Sequence, residues 1–252
     1  PCILIALLSY GIRMFAITAF YHRYFSHRSF KTSRLVQFIG ATVACSSGQR
    51  GPLWWAAHHR RHHKHSDTED DVHSPHTKSF LWSHTLWFMT DYAVPTFLKE
   101  IPDWLKFREL RFLNRFDWIP VAALALSCYW IGGSAWFQNL TGLTAMTTLI
   151  WGVLVPTILL YHATFAVNSI AHIFGSRRYD TKDESKNNFW LALITLGEGW
   201  HNNHHFYPAA ARQGFRKREI DVTYYLLRFL SLLGLVSDLK PVPAWVRDKA
   251  SS

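Results

Sequence analysis

The hydrophobic and polar positions divide the chain into long apolar stretches and strongly polar ones. Residues 118–137 and 143–167 contain no Asp, Glu, Lys or Arg, and a polar, uncharged joint at residues 138–142 separates them. Each stretch is long enough for the roughly 20 residues that cross a bilayer core. The pattern predicts a transmembrane hairpin with membrane helices at about 117–137 and 143–167, the second kinked at Pro156. A buried hairpin in a soluble helical bundle is the alternative interpretation.

A third apolar stretch opens the sequence and predicts a membrane helix at about 1–21. Arg13 interrupts it after only a dozen residues, too few to cross a bilayer. Arginine is tolerated near the membrane interface, so we expect Arg13 to lie there and the helix to begin upstream of Pro1. Since the sequence has neither an initiator Met nor a signal-peptide pattern, we expect an N-terminally truncated chain.

The polar parts of the chain, residues 22–116 and 168–252, are expected to form a cap outside the bilayer. Within them, residues 35–57 and 222–236 are apolar but interrupted by glycine, proline or arginine, which is typical of helices at a membrane surface. Residues 99–115 mix charged and apolar side chains, as an interfacial helix does. Strand-like alternation is weak throughout. We therefore predict an all-α integral membrane fold, in which a bundle of transmembrane helices is capped by a helical domain.

The net charge of +10 is concentrated on one side of the predicted membrane. Lys and Arg crowd into residues 23–115 and 177–249, whereas the joint at 138–142 has none. By the positive-inside rule, both basic regions face the cytoplasm. A basic surface attracts anionic headgroups, CoA phosphates or nucleic acid. Because these charges flank membrane segments, a lipid bilayer is an expected partner and nucleic acid is not.

Fifteen histidines are a large excess for 252 residues, and their spacing carries the main chemical signal. Two triplets share the spacing i, i+3, i+4, which places three imidazoles on one face of a helix. A pair five residues apart follows the first apolar stretch, and Asn168 and His172 stand where the hairpin returns. The triplets are His59, His62, His63 and His201, His204, His205, and the pair is His22 and His27.

These four histidine segments all fall on the same side of the predicted membrane, so they can converge. Neutral imidazole binds Fe, Zn, Cu and Ni. Eight or nine imidazoles are too many for one ion, whereas two ions with four or five ligands each would use them all. A single structural zinc site is disfavoured by this number and by the lack of cysteine ligands. A non-catalytic membrane metal-binding protein remains an alternative.

At these residues the chain resembles the membrane fatty acyl desaturases, in particular the delta-9 (stearoyl-CoA) type and its bacterial relatives. The matching motifs occur in the family's order, with the family's hydrophobic hairpin between the second and the third. They are HRYFSH (22–27), HRRHH (59–63), NSIAH (168–172) and EGWHNNHH (198–205). The resemblance covers nearly the whole chain and implies a single desaturase domain, residues 1–252.

The resemblance also implies two iron ions and four membrane helices under a cytosolic cap, of which this chain shows three helices. Asn168 matches the residue that contacts one metal through water. The implied iron ligands are His22, His27, His59, His62, His63, His172, His201, His204 and His205. One departure is His58, which stands where the acyl-CoA enzymes of animals often carry an aspartate. The acyl carrier, CoA or a lipid, is therefore left open.

Removing hydrogen from an unactivated methylene is beyond any side-chain acid or base, so the expected chemistry belongs to a metal-oxygen oxidant. The resemblance implies that O2 is the co-substrate and that a cis double bond, at delta-9, enters a long saturated acyl chain. A fatty acyl hydroxylase or related oxygenase on the same scaffold remains an alternative. Because the sequence has no dinucleotide fingerprint and no haem-attachment motif, electrons are expected from a separate ferredoxin or small cytochrome with its reductase. The expected location is a bacterial plasma membrane, or the endoplasmic reticulum of a eukaryote, with the site on the cytoplasmic side.

Carboxylates and aromatic side chains near the histidine motifs complete the predicted site. Carboxylates orient metal-bound imidazoles through the ring N–H, and Glu198 and Asp67 are the leading candidates. Further candidates are Glu69, Asp70 and Asp71. An elongated apolar substrate needs a narrow tunnel to fix its register. The expected tunnel and head-group contacts are Trp54, Trp55, Trp200 and Arg60, with Arg61 and Lys64 beside the last.

Overall fold

A computed structural model describes residues 1–249, most of which are helical, so the prediction of a mainly helical fold is confirmed. Two short strands within this range, β1 (Lys31–Thr32) and β2 (Val236–Ser237), pair antiparallel. The helices are α1 (Cys2–Ala16), α2 (Arg34–Cys45), α3 (Pro52–His65), α4 (Phe80–His84), α5 (Arg108–Arg115), α6 (Trp118–Gly133), α7 (Ala135–Thr141), α8 (Ala145–Leu149), α9 (Val155–Ile173), α10 (Phe189–Ile194), α11 (His201–Phe206), α12 (Val222–Leu232) and α13 (Ala244–Lys249). Short 3-10 helices at Leu86–Met89, Asp91–Ala93 and Leu98–Glu100 lie between α4 and α5.

Within residues 1–249, two helices are long and apolar enough to cross a membrane. The first combines α1 with a π-helical segment, Ile17–Ser26, and has 25 residues. The second has 29 residues, Ala145–Ile173, and consists of α8, a π-helical segment and α9. Helices α5 and α6 are bent by 73° at the break between them and make a third candidate if the pair is one span.

The two apolar helices of the predicted hairpin are present, but the first has 16 residues and the turn differs in detail. Helix α6 ends at Gly133, and the predicted joint, residues 138–142, lies largely within the extra short helix α7. Gly142 ends α7 with a φ of 71°, a left-handed conformation that glycine adopts without strain. The returning helix continues beyond its predicted end, so Asn168 and His172 lie on it and not on a separate element.

Pro156 does not interrupt the returning helix. Because proline has no N–H, the Gly152 carbonyl four residues earlier loses its usual helical donor. A π-helical segment, Ile150–Leu154, widens the helix just before the proline. The Ser9 hydroxyl of α1 donates to the Gly152 carbonyl at 2.6 Å. The neighbouring helix therefore satisfies the acceptor that the proline leaves open.

Arg13 lies midway along the first helix and is buried, with 2% of its surface exposed. Its guanidinium donates to the Thr157 hydroxyl at 2.7 Å, the Ser46 carbonyl at 3.3 Å and the Val153 carbonyl at 3.4 Å. Burial among these acceptors explains why the charge is tolerated, and the position of Arg13 at the membrane interface stays a prediction. Oxygen atoms of the protein satisfy the guanidinium, so the helix passes through Arg13 without a break.

The largest hydrophobic core lies where the first π-helical segment packs against α2 and α3. Phe20, Phe25 and Leu53 are buried in it, and Leu110 of α5 closes one side. Gly40 of α2 is required here, because a Cβ would lie 2.2 Å from the ring of Phe20. This packing holds the π-helical segment against α3, and both elements carry predicted site histidines.

Candidate metal centre

The π-helical segment explains why His22 and His27 point to the same side. In an α-helix, side chains five residues apart diverge by about 140°, since each residue turns about 100°. A π-helix instead closes i to i+5 hydrogen bonds. The His27 N–H accordingly donates to the His22 carbonyl at 3.3 Å, and the two ring centroids lie 4.9 Å apart.

The nine predicted histidines come together in two adjoining groups. In the first group, the Nε2 atoms of His22 and His204 lie 3.0 Å apart, and those of His27 and His59 lie 2.8 Å apart. The Nε2 of His63 lies 3.0 Å from that of His59 and 2.9 Å from that of His204. Five candidate ligand atoms within 4.8 Å of one another form this group.

The second group contains four histidines, again with all candidate ligand atoms within 4.8 Å. They are His62, His172, His201 and His205. The Nε2 atoms of His172 and His201 lie 3.0 Å apart. Each HxxHH triplet therefore divides between the groups, and α3 and α11 bind the two halves of the site together.

A carboxylate oxygen lies next to the Nδ1 atom of four of these rings. The pairs are His22 with Glu198 at 2.5 Å, His172 with Asp67 at 2.8 Å, His62 with Asp71 at 3.1 Å, and His205 with Asp183 at 2.8 Å. When Nδ1–H donates to the carboxylate, Nε2 presents its lone pair to the group. Glu198 and Asp67 thus occupy the supporting positions expected of them, and so does Asp71.

Asp183 is the supporting carboxylate that sequence reasoning missed. It lies in the loop between α9 and α10, with no fixed spacing from any histidine motif, so the sequence offers no signal for it. Its other oxygen accepts a hydrogen bond from the Ser185 N–H at 3.0 Å, which fixes the carboxylate. Glu69 and Asp70, which were candidates, are exposed.

The donor set fits metal ions. A neutral imidazole whose Nδ1–H donates to a carboxylate has no second proton, so its Nε2 is only an acceptor. Such an Nε2 needs an N–H donor or a metal ion as its partner. The buried Nε2 of His205 also has no hydrogen-bond partner within residues 1–249. A buried nitrogen without a partner is unfavourable, and metal coordination removes that cost.

Burial keeps most of these rings neutral, which metal coordination requires. Burial and the neighbouring imidazoles hold the pKa of His59, His63 and His204 well below 6.5. Burial lowers the pKa of His205 to about 4, although Asp183 opposes the shift. Burial would also lower the pKa of His62, but the Asp71 carboxylate outweighs it and the pKa is raised.

The metal-free protein is expected to lose stability as the pH falls through about 6.5. In that range the unfolded chain protonates its histidines while the folded chain keeps the buried ones neutral, so the unfolded state binds more protons. Below that pH each histidine with a depressed pKa costs about 1.4 kcal/mol per pH unit. The raised pKa of His62 adds stability only above that range, as the pH falls toward 6.5. Thermal unfolding of chelator-treated protein at about pH 7.5 and pH 5.5 measures this. A melting temperature that is equal or higher at the lower pH contradicts the expectation.

Two cavities adjoin the histidine groups. The larger has a volume of about 310 Å³ and is lined largely by aromatic side chains, and the smaller has a volume of about 60 Å³. Both are lined by Trp55, His59, Thr164 and Asn168. Met14 of the first helix lines the smaller cavity. The cavities therefore meet the site at the same place, beside His59.

The predicted substrate contacts divide into two that line the larger cavity and two that lie elsewhere. The first two are Trp54 and Trp55, and the other two are Trp200 and Arg60. The Trp200 ring N–H donates to the Ile220 carbonyl at 2.7 Å. Arg60 donates to both carboxylate oxygens of Asp103 at 2.8 and 2.9 Å, and its neighbour Lys64 pairs with Glu100. These cations are bound within the protein.

Comparison with known proteins agrees with the sequence motifs. Residues 1–230 match the family described as fatty acid desaturase. A probable chloroplastic lipid desaturase of Arabidopsis thaliana is 37% identical over 238 residues, 93% of this chain but 62% of that relative's length. Delta-9 acyl-lipid desaturase 1 of the same plant is 34% identical, and the match covers 95% of this chain and 75% of that relative's length. The sn-1 stearoyl-lipid 9-desaturase of Anabaena variabilis is 36% identical, and the match covers 94% of this chain and 83% of that relative's length. The resemblance noted from the histidine motifs is confirmed.

Proposed function

Because the chain belongs to the fatty acid desaturase family, we propose that it is an O2-dependent fatty acyl desaturase that places a cis double bond, at delta-9, in a long saturated acyl chain. The observation that carries this proposal is the position of His59. Its ring belongs to the five-histidine group and also lines both cavities. A chain held in the cavities would therefore lie directly beside the metal ligands.

Two iron ions fit the two histidine groups, one in each. When bound, they supply the O2 activation that attack on an unactivated methylene requires. The five-histidine group offers a full ligand set, and the four-histidine group leaves room for a further ligand. Asn168 lines both cavities and would contact that ion through water. The four carboxylates hold the rings in the tautomer that leaves Nε2 free for the metal.

The reaction balances only with an external source of electrons. Reduction of O2 to two waters takes four electrons and four protons. The acyl chain supplies two of each as two C–H bonds break and one C=C bond forms. The other two electrons come from a separate carrier, a ferredoxin or a small cytochrome with its reductase, and the other two protons come from solvent.

The cavities suit an extended apolar chain. Trp54 and Trp55 form part of the wall, and Met14 of the first helix lines the smaller cavity. The Gln49 amide donates to the Thr164 hydroxyl at 2.9 Å, and these two polar side chains line the larger cavity together with Trp55. A chain fixed in these partly polar cavities would hold one methylene pair at the metal centre and so set the bond position.

The proposed topology places the apolar helices in a bilayer and the histidine groups in a cap on its cytoplasmic side, formed by residues 22–116 and 168–249. The two candidate spans end at Ser26 and Ile173, next to His27 and His172. The basic residues concentrated in the same regions support the cytoplasmic orientation. A bacterial plasma membrane is the proposed location, with the endoplasmic reticulum as its eukaryotic counterpart.

Expression in a host that lacks unsaturated fatty acids tests the proposal. We expect new monounsaturated chains with the double bond at carbon 9, detected by mass spectrometry, and none from the His204→Ala variant. Pulse labelling of the acyl-CoA and glycerolipid pools identifies the carrier, because the true carrier acquires unsaturated chains first. Hydroxylated chains would reassign the protein as an oxygenase. Unchanged fatty acids from protein that contains iron and is supplied with a reduced carrier would reject the activity.

A further inference from the structure

Two loops cover α11, the short helix that supplies histidines to both groups. The first runs from residue 177 to 186 and the second from 212 to 221. Asn202 of α11 accepts hydrogen bonds from the backbone of the first loop, and Asn203 donates to Glu219 of the second at 2.9 Å. An ion pair between Arg178 and Glu219 joins the two loops. Together they form one continuous surface, which we call the α11 cover.

Each loop of the α11 cover touches the support of one histidine group. In the first loop, Asp183 binds the Nδ1 of His205 at 2.8 Å. In the second, the Gln213 amide donates to Glu198 at 2.8 Å and lies 3.2 Å from the Nδ1 of His22. One residue of each loop therefore links the surface to a histidine group: Asp183 contacts His205, and Gln213 contacts His22.

The same loops expose positive charge. Lys182 is exposed directly before Asp183, and Lys217 and Arg218 are exposed at the tip of the second loop. None of these three cations forms an ion pair with a carboxylate anywhere in residues 1–249. They differ in this respect from Arg60 and Lys64, which are bound to Asp103 and Glu100.

We propose that the α11 cover is the docking surface for an acidic one-electron carrier protein, with Lys182, Lys217 and Arg218 as its charged contacts. The inference rests on the proposed function, which needs two electrons per double bond from outside the chain. Opposite charges steer protein encounters and raise the association rate. A carrier docked here would reach each histidine group through Asp183 or Gln213.

Each encounter transfers one electron. The carrier would be oxidised by one electron, which the irons held by the two histidine groups would accept, so two encounters would complete one double bond. No covalent bond forms between the proteins, and the two protons that accompany the electrons come from solvent. The carrier must dissociate after each transfer, which favours the salt-sensitive electrostatic contact that exposed lysine and arginine provide.

Charge reversal tests the proposal in iron-loaded protein held in phosphatidylcholine nanodiscs. Stopped-flow oxidation of a reduced plant-type ferredoxin, and of reduced cytochrome b5, is followed at low and high salt. We expect the K217E, R218E double variant to lower the second-order rate constant at low salt by about tenfold or more for the carrier that reacts, with a weaker salt dependence. The matched control is K78E, K99E, which reverses two other exposed lysines outside the α11 cover and is expected to react at the unaltered rate.

Two further arms separate the possible failures. Reduction by dithionite, a small reductant that needs no docking surface, should proceed equally in all variants and should support formation of the double bond. Absence of product in that arm rejects the proposed function itself. Product with dithionite, combined with equal ferredoxin and cytochrome rates in both double variants, overturns only the docking surface. A defect that appears only in nanodiscs containing anionic phosphatidylglycerol would overturn the docking surface in favour of a lipid contact. If the unaltered protein oxidises neither carrier, the docking surface is also overturned.

Discussion

His204→Ala is expected to abolish desaturation and to reduce the iron content of the protein. The Nε2 of His204 lies within 3.0 Å of that of His22 and 2.9 Å of that of His63, so this ring joins three of the segments that form the five-histidine group. Residues that merely support metal ligands already change metal affinity by about 10–100-fold. Loss of a ligand itself should exceed that range. Mass spectrometry of fatty acids and elemental analysis of purified protein measure the two effects.

His65→Ala is the matched control for this variant. His65 is also a helical histidine, at the end of α3, but its ring lies only near the exposed Asp70, at 3.8 Å. We expect normal iron content and normal product from it. The ligand assignment fails if His204→Ala keeps full activity and iron, or if both variants lose iron equally while remaining folded.

Arg23→Met is expected to destabilise the protein strongly, by about 3–5 kcal/mol, because it leaves buried carboxylates without their cation. Arg23 is 1% exposed, and one of its nitrogens lies 3.1 Å from Glu198 and 3.0 Å from Asp221. Another nitrogen donates to the Ala211 carbonyl at 2.8 Å. Methionine approximates the length of the side chain but supplies none of these contacts. Thermal and denaturant unfolding of metal-free protein separates this effect from iron binding.

Arg28→Met provides the comparison at the surface. Arg28 pairs with Asp103, but more than half of its side chain is exposed. Exposed pairs contribute about 0–1 kcal/mol, so this variant should unfold close to the unaltered protein. If the two substitutions destabilise the protein equally, the Glu198 and Asp221 carboxylates do not need Arg23 for stability and the prediction is wrong.

The nine histidines could be found from the sequence because their spacing is local. The i, i+3, i+4 triplets place three rings on one helical face wherever a helix forms, and the charge-free stretches indicate on which side each triplet lies. Convergence of the segments followed from topology alone. The sequence did not predict that each triplet divides between two groups. Neighbouring rings such as His62 and His63 differ only by a rotation about the helix axis, and spacing alone does not show which group each ring joins.

Features that depend on contacts between distant segments could not be predicted. Asp183 meets His205 through the path of a loop, and no spacing rule links them. The π-helical turn that aligns His22 with His27 depends on packing against α2 and α3. Trp200 sits beside a histidine motif in sequence, but its ring N–H donates to the Ile220 carbonyl and it lines neither of the two cavities.

In the proposed membrane arrangement, the buried Arg13 bears on the order in which the protein is assembled. The guanidinium finds its acceptors on Ser46, Val153 and Thr157, which are synthesised after the helix that carries it. Until those residues arrive, the first helix presents an unsatisfied cation, which is costly in lipid. We therefore expect stable insertion of this helix to require Ser46, Val153 and Thr157. The helix that carries Arg13 is therefore made before the residues that hold its guanidinium.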